Sequence, residues 1–288
     1  MSDAAGSGEG NAAQIAYWND RAAVTWTEFQ DRIDAVFAPL TAIALDASAA
    51  APGERALDIG CGCGATVLEL ARRVGPAGHV LGLDVSEPMA ARARARIAAA
   101  GLGNAEVLVS DASAAVFPRR DADLLFSRFG VMFFADPAAA FANLRRAMRP
   151  GGRLLCAVWR PMAENSWFSV PLEAARFLLP PQPPPEPDAP GPFAFADAER
   201  VRRILAEAGW QCIGLEPCDV PMRLAGPGQI GQATEFATRV GALARVLADA
   251  EPELRSRAQE AVADVLGGYD GPDGISLSGS IWIVSARA

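Results

Sequence analysis

The run Leu57-Asp58-Ile59-Gly60-Cys61-Gly62-Cys63-Gly64-Ala65-Thr66 constrains this chain more than any other stretch. A short apolar segment passes through three alternating glycines into residues with helical spacing. Glycine lets the backbone turn through positive φ and come close to a ligand. The run therefore reads as the first strand, turn and helix of an open sheet that binds something at its carboxyl edge. It does not say what is bound. Gly60, Gly62 and Ala65 also satisfy the G-x-G-x-x-G/A pattern of dinucleotide folds, which is weak evidence when it stands alone.

Around this run the sequence alternates between strand and helix patterns. Apolar runs at Ala56 to Ile59, Val80 to Leu83, Glu106 to Val109, Asp123 to Phe126 and Arg153 to Val158 predict strands. Helices are predicted between them at Ala65 to Val74, Pro88 to Ala100 and Pro137 to Met148. Such alternation implies an α/β, doubly wound parallel sheet. Before it, Trp18, Trp26, Phe29, Ile33, Phe37, Leu40 and Ile43 recur at helical spacing, so residues 11–49 are expected to form a helical lid, after a flexible tail at residues 1–10. The sheet domain then spans residues 50–288. Within it, residues 160–195 are expected to form a rim, because their proline-rich run PPQPPPEPDAPGP disfavours regular hydrogen bonding. A helix over Ala198 to Ala208 and a strand over Gln211 to Val220 come next. Two helical stretches within residues 225–270 form an insertion, before a last strand over Ser278 to Ala286.

The net charge of −8 excludes an extended nucleic-acid footprint, which needs clustered cations. No stretch is apolar enough to span a membrane, and no signal segment opens the chain, so the expected location is the cytoplasm. The five cysteines, Cys61, Cys63, Cys156, Cys212 and Cys218, are odd in number and lack paired spacing, so reduced thiols and no metal site are expected. A homodimer is an open expectation.

Two acids narrow the choice of ligand. Asp58 stands two residues before the first glycine, where dinucleotide folds put an apolar residue. A carboxylate there repels pyrophosphate and favours a cationic amino-acid ligand. Asp84 closes the second strand, 24 residues after Gly60, where an acid can accept both hydroxyls of a ribose.

In order along the chain come LDIGCGCG, GLDVS, SDAS, DLLFSRFGVMFF and LRRAMRPGGRLL. This series resembles the ordered motifs of class I S-adenosylmethionine-dependent methyltransferases, over roughly Glu54 to Trp159. It is most similar to bacterial small-molecule enzymes related to the ubiquinone/menaquinone C-methyltransferases. The resemblance implies a Rossmann-like, seven-stranded sheet whose last strand is antiparallel. It implies S-adenosyl-L-methionine as cofactor, S-adenosyl-L-homocysteine as product and a small molecule as substrate. Asp58 and the turn Gly60, Cys61, Gly62, Cys63 and Gly64 would meet the methionine part, and Asp84 the ribose. Val85 and Met89 would flank the adenine, and Asp111 and Ala112 would receive its amino group and ring. Ser127, Arg128 and Phe129 would face the sulfonium, with Arg128 departing from the uncharged residues more usual there.

Trp18, Trp26, Phe129, Phe133 and Trp167 fall in segments expected over the cofactor and favour an apolar or aromatic acceptor. Phe126, Phe134, Trp159 and Trp282 read as core. If the acceptor must lose a proton, Tyr17, Glu164 and Asp136 are candidate bases, Asp136 being already explained as a helix cap, and Arg128 is a further catalytic candidate. The lone His79 is expected at the opposite edge of the sheet, and Arg92, Arg94 and Arg96, every second residue on a helix, are expected in solvent. The competing functions are a nicotinamide-dependent oxidoreductase and an inactive cofactor-binding relative.

Overall fold

The computed structural model describes residues 6–180 and 189–288. Helices α1 (Gly6–Asn19), α2 (Arg21–Glu28) and α3 (Gln30–Ala47) precede β1 (Arg55–Ile59), α4 (Ala65–Val74), β2 (His79–Asp84), α5 (Glu87–Ala99) and β3 (Ala105–Val109). The chain continues through β4 (Ala122–Arg128), α6 (Pro137–Arg145), β5 (Met148–Trp159), α7 (Ser166–Ala175), α8 (Ala198–Glu207) and β6 (Gln211–Ala225). It ends with α9 (Ile230–Arg239), α10 (Ala242–Val246), α11 (Pro252–Gly267), β7 (Asp270–Gly271) and β8 (Gly274–Arg287).

The strand order is β3-β2-β1-β4-β5-β8-β6, with the short β7 paired to β8 outside that path. Strands β1, β2, β3, β4 and β5 are parallel neighbours. From β1 the chain winds outward through α4 and α5 to β3, returns to β4 beside β1, and winds the other way through α6 to β5. Right-handed crossovers in opposite directions put their helices on opposite faces, so the sheet is doubly wound and its winding reverses between β1 and β4. The last strand is antiparallel: the amide of Ala288 bonds Gly152 near the start of β5, while the amide of Arg160 past its end bonds Ser280. β7 adds an eighth strand to the seven expected, because the Asp-Gly-Pro-Asp-Gly run at residues 270–274 closes a hairpin.

Two compact units divide the described residues. The first takes in the chain up to Val158, the stretch ending at Pro217, and Ile281–Ala288; the second begins at Trp159 and takes in Cys218–Ser280. In the first, Phe126, Leu124 and Leu125 of β4 and Phe141 of α6 are fully buried. Helix α3 belongs to this core, since Ile33, Val36, Phe37 and Leu40 are buried and α3 packs on α4. It is therefore part of the fold's foundation, and only α1 and α2 remain as a candidate lid. In the second unit, α7, α9, α10 and α11 pack on one another.

Several boundaries differ from expectation. α1 starts at Gly6, inside the segment read as a tail, because a helix nucleated by the following residues extends backwards over small ones; residues 1–5 lie outside the described residues. α7 occupies part of the expected rim, with Trp167, Phe168, Pro171 and Ala175 making a buried face; residues 181–188 of that rim lie outside the described residues. The insertion holds three helices where two were expected, since Gly241 at φ +104° separates α9 from α10. α6 stops at Arg145, and β5 already begins at Met148.

Candidate cofactor site at the reversal of the sheet

At the carboxyl end of β1 the chain passes through Gly60, Gly62 and Gly64 at φ +67°, +54° and +84°, backbone that side-chain-bearing residues rarely adopt. Gly60 lies against Gly130, which follows β4: a methyl group added at Gly60 would sit 2.5 Å from the Gly130 Cα. Two glycines thus let β1 and β4 close on each other where the winding reverses, the place where open α/β sheets bind ligands. The intervening Phe129 itself has φ +68°, an uncommon conformation for an aromatic residue.

Asp58, on β1, is completely buried. The hydroxyl of Thr66, in the first turn of α4, donates to its Oδ2 at 2.5 Å, while Oδ1 has no partner. Burial pushes the carboxyl up to about 7, with the Thr66 bond and the charge of Arg128 pulling against that shift. Asp84, at the tip of β2, accepts the amide of Gly62 at 2.7 Å on Oδ2 and that of Ser86 at 2.9 Å on Oδ1. Burial raises its pKa as well, and these bonds oppose the rise. The Val85 amide acts on the carboxylate too, and since an ionised carboxylate has about four acceptor positions, Asp84 keeps capacity for a further donor.

After β3, Asp111 accepts the amide and hydroxyl of Ser113 on Oδ1, and on Oδ2 it accepts Nδ2 of Asn11 from α1. At the other end of α1, Asn19 donates to the carbonyl of Val85 at 2.8 Å and accepts the amide of Glu87 at 3.0 Å. The first helix is thereby pinned across the tips of β2 and β3. Asn11 and Asn19 were missed in the sequence, where two asparagines two turns apart carry no distinguishing signal. Met89 and Ala112 are buried beside these tips, and Val85 is half-buried.

Residues 56–152 match a family described as a methyltransferase domain. The chain is 36% identical over 137 residues to nocamycin O-methyltransferase of Saccharothrix syringae, covering 47% of this chain and 49% of that one. It is 36% identical over 104 residues to demethylmenaquinone methyltransferase of Geobacillus kaustophilus, covering 36% of this chain and 44% of the other. The chain spans about half the length of the curated relatives it matches. Phosphoethanolamine N-methyltransferase 2 of Haemonchus contortus, solved with phosphomonomethylethanolamine and S-adenosylhomocysteine, shares the fold at a TM-score of 0.56 and 16% identity, over 94% of this chain and 59% of that one. Over residues 56–152 the chain is thus similar to a methyltransferase domain.

Around this glycine turn the other expected residues sort by what their atoms already touch. The Ser127 hydroxyl donates to the Ile59 carbonyl at 2.7 Å, so it ties β4 to β1 and its proton is not free for a ligand. Cys61 fills the space left by Gly82, where an added methyl would lie 2.9 Å from its sulfur. Cys63 contacts the Trp26 carbonyl, and burial pushes its thiol up to about 12. Both cysteines fill space and stay protonated. Trp18 packs edge-on against Phe133 and Trp26 at 5.0 and 5.8 Å, and Trp26 leads through Phe37 to Phe129.

Trp167 is corrected from pocket to core: it is buried in the second unit against Trp159 and Phe168, on the apolar face of α7. Phe126, Phe134 and Trp159 are buried as expected, and half-buried Trp282 donates its indole N–H to the Ala196 carbonyl. Among the candidate bases, Asp136 caps α6 by accepting the Ala139 amide, and Glu164 is held in an ion pair with Arg160. Tyr17 is exposed beside Trp18.

His79 starts β2 at the far edge, 3.1 Å from Glu106. Arg92 and Arg94 of α5 are exposed as expected and Arg96 is half-buried, but all three are engaged by neighbours. Arg96 donates to Asp34 of α3 and to the Cys63 carbonyl in the glycine turn, both at 2.7 Å. Arg92 reaches buried Gln30, and Arg94 reaches the Val107 carbonyl and Glu87. Only Arg96 departs from the solvent expectation: one turn after Arg92 on the same face, it reaches α3 and the glycine turn.

Proposed function

We propose that the chain is an S-adenosylmethionine-dependent methyltransferase acting on a small, apolar or aromatic acceptor. The observation that carries this reading is the orphaned, buried Oδ1 of Asp58 beside the glycine turn at the reversal of the sheet. A buried carboxylate oxygen without a donor is costly, and the ammonium of a methionine moiety is a donor of matching charge. In this reading Asp84 takes a ribose hydroxyl with its remaining acceptor capacity, and Asp111, which follows β3, takes the adenine amino group once Asn11 yields. The nicotinamide alternative loses ground to the antiparallel last strand, since dehydrogenases continue with parallel units.

The cofactor supplies a methyl group on a positively charged sulfur that an acceptor lone pair attacks in line. The chain's part is to orient the two and to exclude water. Helix α1 supports that role by lying over the tips of β2 and β3, and Trp18, Phe133 and Trp26 pack together there as apolar surface. None of the candidate bases is both free and buried, so the reading includes no dedicated base.

Thermal unfolding with S-adenosylhomocysteine and with NAD tests the cofactor. A ligand at about 100 times its dissociation constant adds about 2.7 kcal/mol. S-adenosylhomocysteine should raise the melting temperature and NAD should not. Stabilisation by NAD alone would overturn the reading. Release of S-adenosylhomocysteine with phenolic or quinol acceptors tests turnover, and its absence with every acceptor would leave only the inactive relative.

A further inference from the structure

Arg128 ends β4 without an ion pair, although the charges of Asp34 and Asp58 act on it. Its Nη1 donates to the Thr41 hydroxyl at 2.6 Å, and its guanidinium carbon lies 5.6 Å from the centre of the Phe37 ring, both on α3. Among the described residues it makes this one side-chain hydrogen bond and no ion pair. Arg96 and Arg153, by contrast, each meet a carboxylate, Asp34 and Glu54. A guanidinium has five donors, and a half-buried one that is mostly unpaired invites an anion.

Its position says which kind. Asp58 of β1 pairs with Phe126 of β4, and Arg128 follows two residues later, so strand alternation puts Asp58 and Arg128 on the same face of the sheet. Two residues along and one strand across separate their backbones by about 8 Å. A buried acid with an orphan oxygen and a cation with free donors thus flank the glycine turn without pairing with each other. A ligand carrying an ammonium and a carboxylate on one carbon satisfies both.

We propose that Arg128, held by Thr41 and Phe37, binds the methionine carboxylate of the cofactor while Asp58 takes its ammonium. This rests on the S-adenosylmethionine reading of the site. Arg128 is then a binding residue for the amino-acid end, and Thr41 is the residue that positions it. An acidic acceptor could present the same carboxylate chemistry, and the experiment separates the two sources.

Calorimetric titration with S-adenosylhomocysteine and with 5′-methylthioadenosine, which lacks the amino-acid part, provides the test. R128Q should weaken S-adenosylhomocysteine about 10- to 100-fold, the usual worth of charged hydrogen bonds, and leave methylthioadenosine unchanged. R128K should recover part of the loss, because lysine keeps the charge without the fork. T41V should show a smaller loss of the same kind. Unchanged affinity for S-adenosylhomocysteine in R128Q would overturn the proposal in favour of an acceptor carboxylate. Equal losses for both ligands would overturn it in favour of a scaffolding role. If the unaltered protein binds neither ligand, the cofactor reading fails and this inference falls with it.

Discussion

Thr66 donates its hydroxyl proton to Oδ2 of fully buried Asp58, and the other oxygen of that carboxylate has no donor. Burial raises the Asp58 pKa to about 7, so the folded protein holds a proton that the unfolded chain releases near its ordinary value of 3.8. The contribution of this group to stability is therefore highest at low pH and declines as pH rises from about 4 to 7. A ligand ammonium favours the ionised form. Affinity for S-adenosylhomocysteine should rise with pH up to about 7, and binding at lower pH should release a proton. Calorimetry at about pH 6 in buffers of different ionisation enthalpy measures that proton. In D58N both the proton release and the pH dependence should vanish. Their persistence would place the titrating group elsewhere.

Gly60 and Gly130 should tolerate no side chain. A Cβ at Gly130 would meet the Ile59 carbonyl at 2.5 Å and the Gly60 Cα at 2.7 Å. Neither clash can be relieved by turning a flexible side chain. G130A and G60A should each cost about 2–4 kcal/mol in denaturant unfolding, whereas Gly103, which has nothing near it and ordinary φ, should accept alanine with little change. A mild G130A would show that β1 and β4 separate more easily than this packing implies.

Asn11 occupies the Asp111 oxygen that an adenine amino group would take. Entry of the cofactor then requires the start of α1 to yield. N11A should bind S-adenosylhomocysteine faster in stopped-flow measurements, by roughly two- to tenfold, about the worth of one hydrogen bond. Slower or weaker binding would mean instead that Asn11 forms part of the adenine site.

Removing residues 1–19 deletes α1 and leaves α3 intact. Since α3 supplies buried Ile33, Phe37 and Leu40, a longer cut to residue 45 should unfold the first unit. The shorter truncation should fold and keep binding S-adenosylhomocysteine, but lose most turnover because the cover over the strand tips is gone. Methylation at the full-length rate would show that α1 is not that cover.

The native protein should show one fast thiol. Cys212 is exposed and Cys218 half-buried, whereas Cys61, Cys63 and Cys156 are buried with their pKa values raised by burial. Maleimide labelling followed by peptide mapping should find Cys212 first, and rapid labelling of Cys61 or Cys63 would mean that the glycine turn opens readily.

The parallel sheet, the glycine turn and the placement of Asp58 and Asp84 at strand ends were legible in the sequence, because strand periodicity and glycine conformation are local properties read from adjacent residues. So was the cap at Asp136, which depends on the amide three residues on. Contacts between distant residues were not. That α3 belongs to the core, that Arg96 links Asp34 to the glycine turn, and that Trp167 packs in a second unit depend on which helix faces are buried against which partners. Local pattern shows that a helix has an apolar face but not what covers it. The same limit left the role of Arg128 open: the sequence named it as a cofactor-site and catalytic candidate, but only the tertiary fold decided that a cation with one hydrogen bond would share a sheet face with an acid that has an empty oxygen.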